Sequence, residues 1–130
     1  MPKTDETLNN LTETIARLRD EDGCPWDREQ TPDSLKPYLL EELYETMEAI
    51  DDRDPDHVRE ELGDLLYLIV FYSRLYEEMG AFTLDDVITG ITEKLVRRHP
   101  HVFGSEKNLS RDELRKKWQT IKDSEKKNRI

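Results

Sequence analysis

A nearly continuous apolar stretch from Leu62 to Tyr76 constrains the fold of this chain more than any other feature. It follows Pro55 and precedes Gly80, residues that typically stand in the first turn and at the C-terminal cap of a helix. A helix that is apolar nearly all round has to be covered on every side. A chain of 130 residues offers few partners for this, so we expect a helical bundle that shares its core with a second copy of the chain.

The periodicity of the apolar residues predicts about five helices and no strands. The expected helices run from about Thr4 to Arg19, from Asp33 or Ser34 to Asp52, from Pro55 to Met79, from Thr83 to about Arg98, and from Ser110 to a frayed end at 126–129. Asp54 and Ser110 are the expected N-caps of the third and fifth helices, and residues 20–32 form an expected loop. We therefore predict an all-α fold, a bundle of about five helices with a four-helix core, in a single domain over residues 1–130.

Composition and charge narrow the classes of function. The net charge of −10 argues against general nucleic-acid binding, because phosphate backbones are bound by basic surfaces. The lone Cys24 excludes an intrachain disulfide, and no apolar run approaches the roughly 20 residues that cross a bilayer. The N-terminal residues also lack the basic start and apolar stretch of a signal peptide. We therefore expect a cytoplasmic protein without membrane segments.

Four carboxylates lie in two pairs at helical spacing, Glu42 with Glu45 and Glu61 with Asp64. Residues three apart share a helix face, and the face of the second pair continues into Leu68 and Leu75, so Glu61 and Asp64 are expected on the core stripe. Buried carboxylates are costly unless a cation compensates them, and four acids on two facing helices would repel one another. The two pairs therefore predict a divalent-cation site. For the first pair, the alternative is a solvated surface.

The types of ligand select a hard cation. Oxygen-only donors suit Mg²⁺ or Mn²⁺, whereas zinc would require His or Cys, which neither motif contains. Di-iron bundles use Glu-x-x-His motifs, but His57 falls four residues before Glu61. Mg²⁺ held by carboxylates usually completes its shell with water and substrate phosphates. We therefore predict Mg²⁺, with Mn²⁺ as a substitute, and a substrate that carries phosphates.

A short basic segment closes the predicted fourth helix. Lys94, Arg97 and Arg98 lie on one face of that helix, and their charges suit a phosphate ligand. The alternative is that these cations complement the helix dipole. We also predict that Trp118 and Lys122 contact the substrate, although core packing is the commoner role of such a tryptophan.

Trp26 lies in the expected loop before the first acidic helix. A tryptophan at such a place stacks on a base, closes over a ligand, or plugs the end of a helix bundle. The last of these is the commonest, so packing at the end of the bundle is the favoured role.

These residues closely resemble the signature of the MazG family of nucleoside triphosphate pyrophosphohydrolases, part of the all-α NTP pyrophosphatase superfamily. The family pattern Glu-Glu-x-x-Glu followed by Glu-x-x-Asp is met by Glu41, Glu42, Glu45, Glu61 and Asp64. The flanking segments at 24–31 (Cys-Pro-Trp-Asp-x-x-Gln-Thr) and at 94–103 (Lys-Leu-x-Arg-Arg-His-Pro-His-Val-Phe) match as well. The resemblance covers roughly residues 8–122. It implies Mg²⁺-dependent hydrolysis of nucleoside triphosphates to nucleoside monophosphate and pyrophosphate, by a homodimer or higher assembly.

On this interpretation, the four paired carboxylates hold the metal and Glu41 binds a second ion or orients the attacking water. Lys94 and Arg98, with Arg97 beside them, neutralise the triphosphate. Two departures from the family pattern matter: this chain has one copy of a motif set that many relatives carry twice, and His57 stands where some catalytic copies have lysine. We expect a role in nucleotide-pool housecleaning. The alternative is a catalytically weak module that senses nucleotides or binds a partner.

Overall fold

The computed structural model describes residues 3–106 and 108–128, and within them it contains seven helices and no strand. The five long helices are α1 (Thr4–Leu18), α3 (Lys36–Asp51), α4 (Pro55–Glu78), α5 (Leu84–Arg98) and α7 (Arg111–Lys127). The two short helices are α2 (Pro25–Glu29) and α6 (Pro100–Phe103). The prediction of an all-α fold is confirmed, and the five predicted helices correspond to the five long ones.

The ends of the long helices follow from local sequence. The Asp54 side chain accepts a hydrogen bond from the backbone N–H of Asp56 at 3.2 Å, which caps α4. Gly80 has φ +75° just beyond the other end of α4, in the left-handed region that favours glycine. At α7, the Ser110 hydroxyl accepts from the Glu113 N–H at 3.2 Å and donates to the Glu113 carboxylate at 3.0 Å. These predicted caps are confirmed.

The predicted boundaries were wrong in two places. Residues 20–32, expected as a loop, contain α2, because Pro25 fits the first turn of a helix, where its missing N–H is no loss. The helix expected from residue 33 or 34 begins at Lys36, because Ser34 instead forms a turn in which its hydroxyl accepts from the Thr31 N–H at 2.8 Å. Of the predicted frayed end, residues up to 127 are helical and residue 129 lies outside the described residues.

The chain divides into two compact units, one that ends at Leu84 and one that starts at Asp85. The core of the first unit consists of the buried residues Ile15, Leu35, Leu68, Val70, Phe71 and Leu75. Leu68 and Leu75 lie on the predicted core stripe of α4, and Glu61 on the same stripe is buried too. Asp64 was expected there as well, but it is exposed. It lines an open cleft instead of packed core, a difference that helical spacing cannot show.

The second unit is held together by polar contacts. Between residues 85 and 128, with residue 107 left aside, no side chain on α5, α6 or α7 is fully buried. The indole N–H of Trp118 donates to the carbonyl of Arg98 at 2.6 Å, and an ion pair joins Lys117 to Glu106. These contacts connect α7 to the end of α5 and to the segment that follows it.

Many large apolar side chains of the first unit remain exposed. On α3 and α4 they are Tyr38, Leu40, Leu43, Tyr44, Met47, Ile50, Leu62, Leu66 and Ile69. The helix that the sequence predicts to need cover on every side therefore keeps an exposed apolar face. Among the described residues, we find no helix with the length and apolar character needed to cross a membrane.

Candidate functional site

Three carboxylates converge where α3 packs against α4. Glu42 and Glu45 of α3 and Glu61 of α4 each offer one oxygen, and these oxygens lie within 4.8 Å of one another. The spacing of three residues places the two α3 acids on one side of the helix, where they meet Glu61. Glu61 is buried, and the other two are half-buried. We refer to these three residues as the carboxylate cluster.

Part of the carboxylate cluster has no hydrogen-bond partner among the described residues. One oxygen of Glu42 and one of Glu61, both Oε2, are buried and accept no hydrogen bond from the described residues. Burial raises the pKa of Glu42 to about 8, and the hydrogen bond with Glu61 and the charges of Asp64 and Glu45 contribute to the rise. Burial and the charge of Glu61 also raise the pKa of Glu45. Such a group holds either a proton or a cation, and its oxygen-only donor set fits a hard divalent ion.

His57 provides a partner for the other oxygen of Glu61. Its Nε2 lies 3.2 Å from Glu61 Oε1, one helical turn earlier on α4. The sequence shows the spacing of four residues that allows this contact, but the contact itself was not predicted. His57 therefore fixes the orientation of the Glu61 carboxylate through Oε1, and Oε2 remains available to the carboxylate cluster.

A cleft of about 320 Å³ lies beside the cluster. It is lined by Trp26, Tyr38, Glu41, Glu42, Asp64, Tyr67 and Leu68. The rings of Trp26 and Tyr38 meet edge to face, with centroids 5.3 Å apart and planes at 87°. Glu41 and Asp64, both predicted site residues, thus lie in this cleft, which joins aromatic rings to carboxylates in a space suited to a small ligand.

Tyr38 and Tyr67 are the cleft residues that the sequence analysis missed. Tyr38 precedes Glu41 by three residues and Glu42 by four, so the helical spacing that reveals the acidic pairs also places Tyr38 on their face. Tyr67 lies three residues after Asp64 on α4. Tyr67 falls within the apolar stretch from Leu62 to Tyr76, and an apolar pattern does not distinguish a cleft from a core.

The predicted phosphate-binding arginines have a local partner in the second unit. Glu125 of α7 accepts from Arg97 at 2.7 Å and from Arg98 at 2.8 Å. The hydrogen bonds from Arg98 and then Arg97 lower the pKa of Glu125 to about 2. Lys94 lines the same cleft of about 690 Å³ as Arg97 and Glu125, and it forms no ion pair with any described residue. No pattern in the sequence links Glu125 to these arginines.

Trp118 and Lys122 differ in their surroundings. Trp118 is half-buried, donates to the carbonyl of Arg98, and lies edge-on to His99 with centroids 5.7 Å apart. These contacts agree with the packing alternative for this residue. Lys122 is exposed on α7. The assignment of either residue to a substrate stays a prediction.

A protein-family comparison identifies the same region of the chain. The model described as MazG nucleotide pyrophosphohydrolase domain matches residues 30–103. This range includes the carboxylate cluster, Glu41, Asp64 and the basic segment of α5. It covers more than half of the chain.

Individual relatives agree with the family model. The chain is 51% identical over 119 residues to a nucleoside triphosphate pyrophosphohydrolase/pyrophosphatase MazG of Thermotoga maritima, covering 92% of this chain and 45% of that protein. It is 45% identical over 119 residues to a nucleoside triphosphate pyrophosphohydrolase of Escherichia coli (strain K12), covering 91% and 45%. The chain therefore spans less than half the length of these two curated relatives. A crystal structure of a mazG-related protein from Thermotoga maritima matches it with a TM-score of 0.73 at 30% identity, covering 88% of this chain and 98% of that one.

We expect the metal-free protein to lose stability as the pH rises through the range of Glu42. The pKa of this carboxyl is raised from 4.5 to about 8 in the folded protein, so the folded state keeps a proton that the unfolded chain releases. Its contribution is therefore fully present below pH 4.5 and is lost as the pH rises through about 8. Urea unfolding in EDTA, at several values from about pH 5 to about pH 8, should show this loss for the wild type and a smaller loss for Glu42→Gln, in which Glu45, whose pKa is also raised, remains.

The matched control for this prediction is Glu48→Gln, an exposed residue on the same helix, which should follow the wild-type profile. A Glu42→Gln profile parallel to that of the wild type across the whole range would show that Glu42 carries no proton in the folded protein.

Proposed function

Because this chain belongs to the MazG nucleotide pyrophosphohydrolase domain family, we propose that it hydrolyses nucleoside triphosphates to nucleoside monophosphate and pyrophosphate. The observation that carries this proposal is the carboxylate cluster, with two buried oxygens that lack partners, beside a cleft with aromatic walls. The names of the relatives support the substrate class. A role in nucleotide-pool housecleaning, in the cytoplasm, would follow from this activity.

We propose Mg²⁺ as the cofactor, with Mn²⁺ as a substitute. Glu42, Glu45 and Glu61 supply the oxygen ligands, and Asp64, at the adjoining cleft, is the proposed fourth ligand. When bound, such an ion polarises phosphoryl oxygens and makes water a stronger nucleophile at neutral pH. His57 orients Glu61 by contacting Oε1, and the other oxygen, Oε2, is the one that has no hydrogen-bond partner among the described residues.

We propose that the cleft holds the base of the nucleotide beside the carboxylates. Trp26 and Tyr38 offer ring surfaces to a base, and Glu41 stands in the same cleft, where we propose that it orients the attacking water or binds a second ion. Among the basic residues, Lys94 is the strongest candidate for a triphosphate contact, because Arg97 and Arg98 already share Glu125. The two arginines would have to exchange that partner for phosphate oxygens.

We further propose that two or more copies of the chain assemble through α3 and α4. Nine large apolar side chains are exposed on these two helices. Monomeric proteins rarely expose contiguous apolar patches of this kind, and larger patches usually mark interfaces. A second copy of the same chain offers an identical apolar face to cover the first.

One observation favours the alternative of a catalytically weak nucleotide-sensing module. His57, which stands where some catalytic copies of the family carry lysine, contacts Glu61 directly. Histidine contacts Glu61 through a ring nitrogen, whereas lysine would present a flexible ammonium group, so the contact at this position differs in kind from that of those copies. Direct measurement of turnover separates the two functions.

The decisive experiment incubates the protein with Mg²⁺ and a panel of ribo- and deoxyribonucleoside triphosphates, and measures monophosphate and pyrophosphate. We expect equal amounts of the two products and no turnover in EDTA. Glu61→Gln should lower kcat/KM by roughly a hundredfold or more. Calorimetric titration of Mg²⁺ should show lost affinity in Glu61→Gln and in Asp64→Asn, and both should keep or gain thermal stability without metal. Glu48→Gln is the control.

Three outcomes would contradict parts of this proposal. Release of inorganic phosphate and nucleoside diphosphate would reject the pyrophosphohydrolase reaction. Mg²⁺ and nucleotide binding without turnover would select the sensing module, and unchanged Mg²⁺ affinity in both variants would remove Glu61 and Asp64 from the metal site.

The role of the basic segment is tested by comparing Lys94→Ala with Arg98→Ala. Lys94 makes no ion pair with the described residues, so its loss should change the free energy of unfolding by less than about 0.5 kcal/mol but lower kcat/KM by roughly tenfold or more. Arg98→Ala also breaks the pair with Glu125, so its melting temperature should fall. Lys126→Ala, on the exposed side of α7, serves as control. Normal kinetics in Lys94→Ala would reject the phosphate contact.

The assembly is tested by sedimentation. We expect the wild type to sediment as a dimer or tetramer at micromolar concentration, and Leu66→Glu to shift it towards the monomer, because a charge would enter the apolar face. Met79→Glu places the same charge at an exposed residue just beyond the C-terminal end of α4 and should leave the assembly intact. A compact wild-type monomer would reject the proposal.

A further inference from the structure

A partly buried hydrogen bond connects the short helix α2 to α4. The Tyr67 hydroxyl donates to Asp27 Oδ1 at 2.7 Å, and Asp27 is only 5% exposed. Burial, together with the hydrogen bond to Asp27, raises the pKa of Tyr67, so the hydroxyl keeps its proton and remains a donor. A buried carboxylate with such a donor is oriented more firmly than one in water.

The backbone of Asp27 is held as well. The guanidinium of Arg19 donates to the Asp27 carbonyl and forms two hydrogen bonds of 2.7 Å with the carboxylate of Glu78. It also lies 5.6 Å from the centre of the Phe71 ring, in the core of the first unit. Asp27 is therefore anchored to α1 and α4 through both its main chain and its side chain.

The residue next to this anchor, Trp26, lines the cleft beside the carboxylates. α2 has five residues, too few to hold a side chain in place by helix formation alone. Trp26 is 38% exposed, so its packing against neighbours such as Tyr38 leaves part of the residue uncovered. Tyr67 lies on the helix that carries Glu61 and Asp64, and its hydrogen bond thus links the aromatic side of the cleft to the acidic side.

We propose that Asp27 and Tyr67 are positioning residues that hold Trp26 at the distance from the carboxylates that a nucleoside triphosphate requires. This inference rests on the proposed function, since it concerns how the same cleft fits its substrate. Without the hydrogen bond, α2 gains freedom and the bound position of Trp26 must be ordered at each binding event. Lost preorganisation of this kind weakens binding of the substrate.

The test begins with Tyr67→Phe, which removes one oxygen and keeps the ring. We expect KM for the triphosphate to rise by roughly fivefold to tenfold and kcat to change by less than about twofold. The matched control is Tyr72→Phe on the same helix. The Tyr72 hydroxyl donates to the Pro32 carbonyl at 2.9 Å and does not line the cleft, so this variant should keep the wild-type KM.

A double-mutant cycle with Trp26→Ala distinguishes positioning from general stabilisation. If Tyr67 acts through Trp26, Tyr67→Phe should raise KM by less than about twofold once Trp26 is absent, because the ring that it positions is gone. An equal rise in both backgrounds would overturn the proposal. Asp27→Asn keeps an acceptor for the Tyr67 hydroxyl and should stay near the wild-type KM, whereas Asp27→Ala should resemble Tyr67→Phe.

The same cycle is measured in parallel as the dissociation constant of a non-hydrolysable α,β-methylene triphosphate with Mg²⁺. If the wild type binds this analogue without hydrolysing triphosphates, the proposed reaction fails and the cycle still decides the positioning role. If Tyr67→Phe binds and turns over substrate as Tyr72→Phe does, the positioning role fails while the reaction stands. A wild type that neither binds nor hydrolyses would reject both.

Discussion

The first unit has to fold against the electrostatic repulsion within the carboxylate cluster, and the rest of its structure depends on how that repulsion is offset. Glu42, Glu45 and Glu61 meet where α3 packs on α4, and two of their buried oxygens have no partner among the described residues. Such an arrangement opposes folding and must be offset by favourable packing elsewhere. The offset lies further along α4, where Leu68 and Phe71 are buried in the core. The unit therefore combines an electrostatically unfavourable end with a well-packed end on one helix.

The sequence predicts the features that depend on local spacing. The caps at Asp54 and Gly80 and the face shared by Glu42 and Glu45 all arise within a few residues of chain, so periodicity and capping rules identify them. Asp64 shows the limit of this reasoning. Asp64 lies on the same side of α4 as the buried Leu68 and Leu75, but near Asp64 this side of the helix borders a cleft. Spacing gives the direction of a side chain and does not tell what it meets there.

Partners distant in sequence were not predictable either. Glu125 pairs with Arg97 and Arg98 from another helix, and neither charge pattern nor periodicity singles it out from the other acids of a chain with 30 Asp and Glu residues. This pairing changes the chemistry that the basic segment can offer. Two of the three cations are already compensated within the second unit, so only an exchange of partners would release them for a substrate. Lys94 needs no such exchange.

The register of α4 connects the proposed chemistry to the fold. Glu61, Asp64, Tyr67 and Leu68 follow one another at spacings of three, three and one residues, so they occupy adjoining parts of one side of the helix. That side supplies a member of the carboxylate cluster, a cleft carboxylate, the donor that fixes Asp27 and the start of the core. Inserting one residue before Glu61 would rotate this side by roughly 100° and displace all four together. The caps at both ends of α4 therefore act on the site as much as on the helix, because they fix where this side begins and which way it faces.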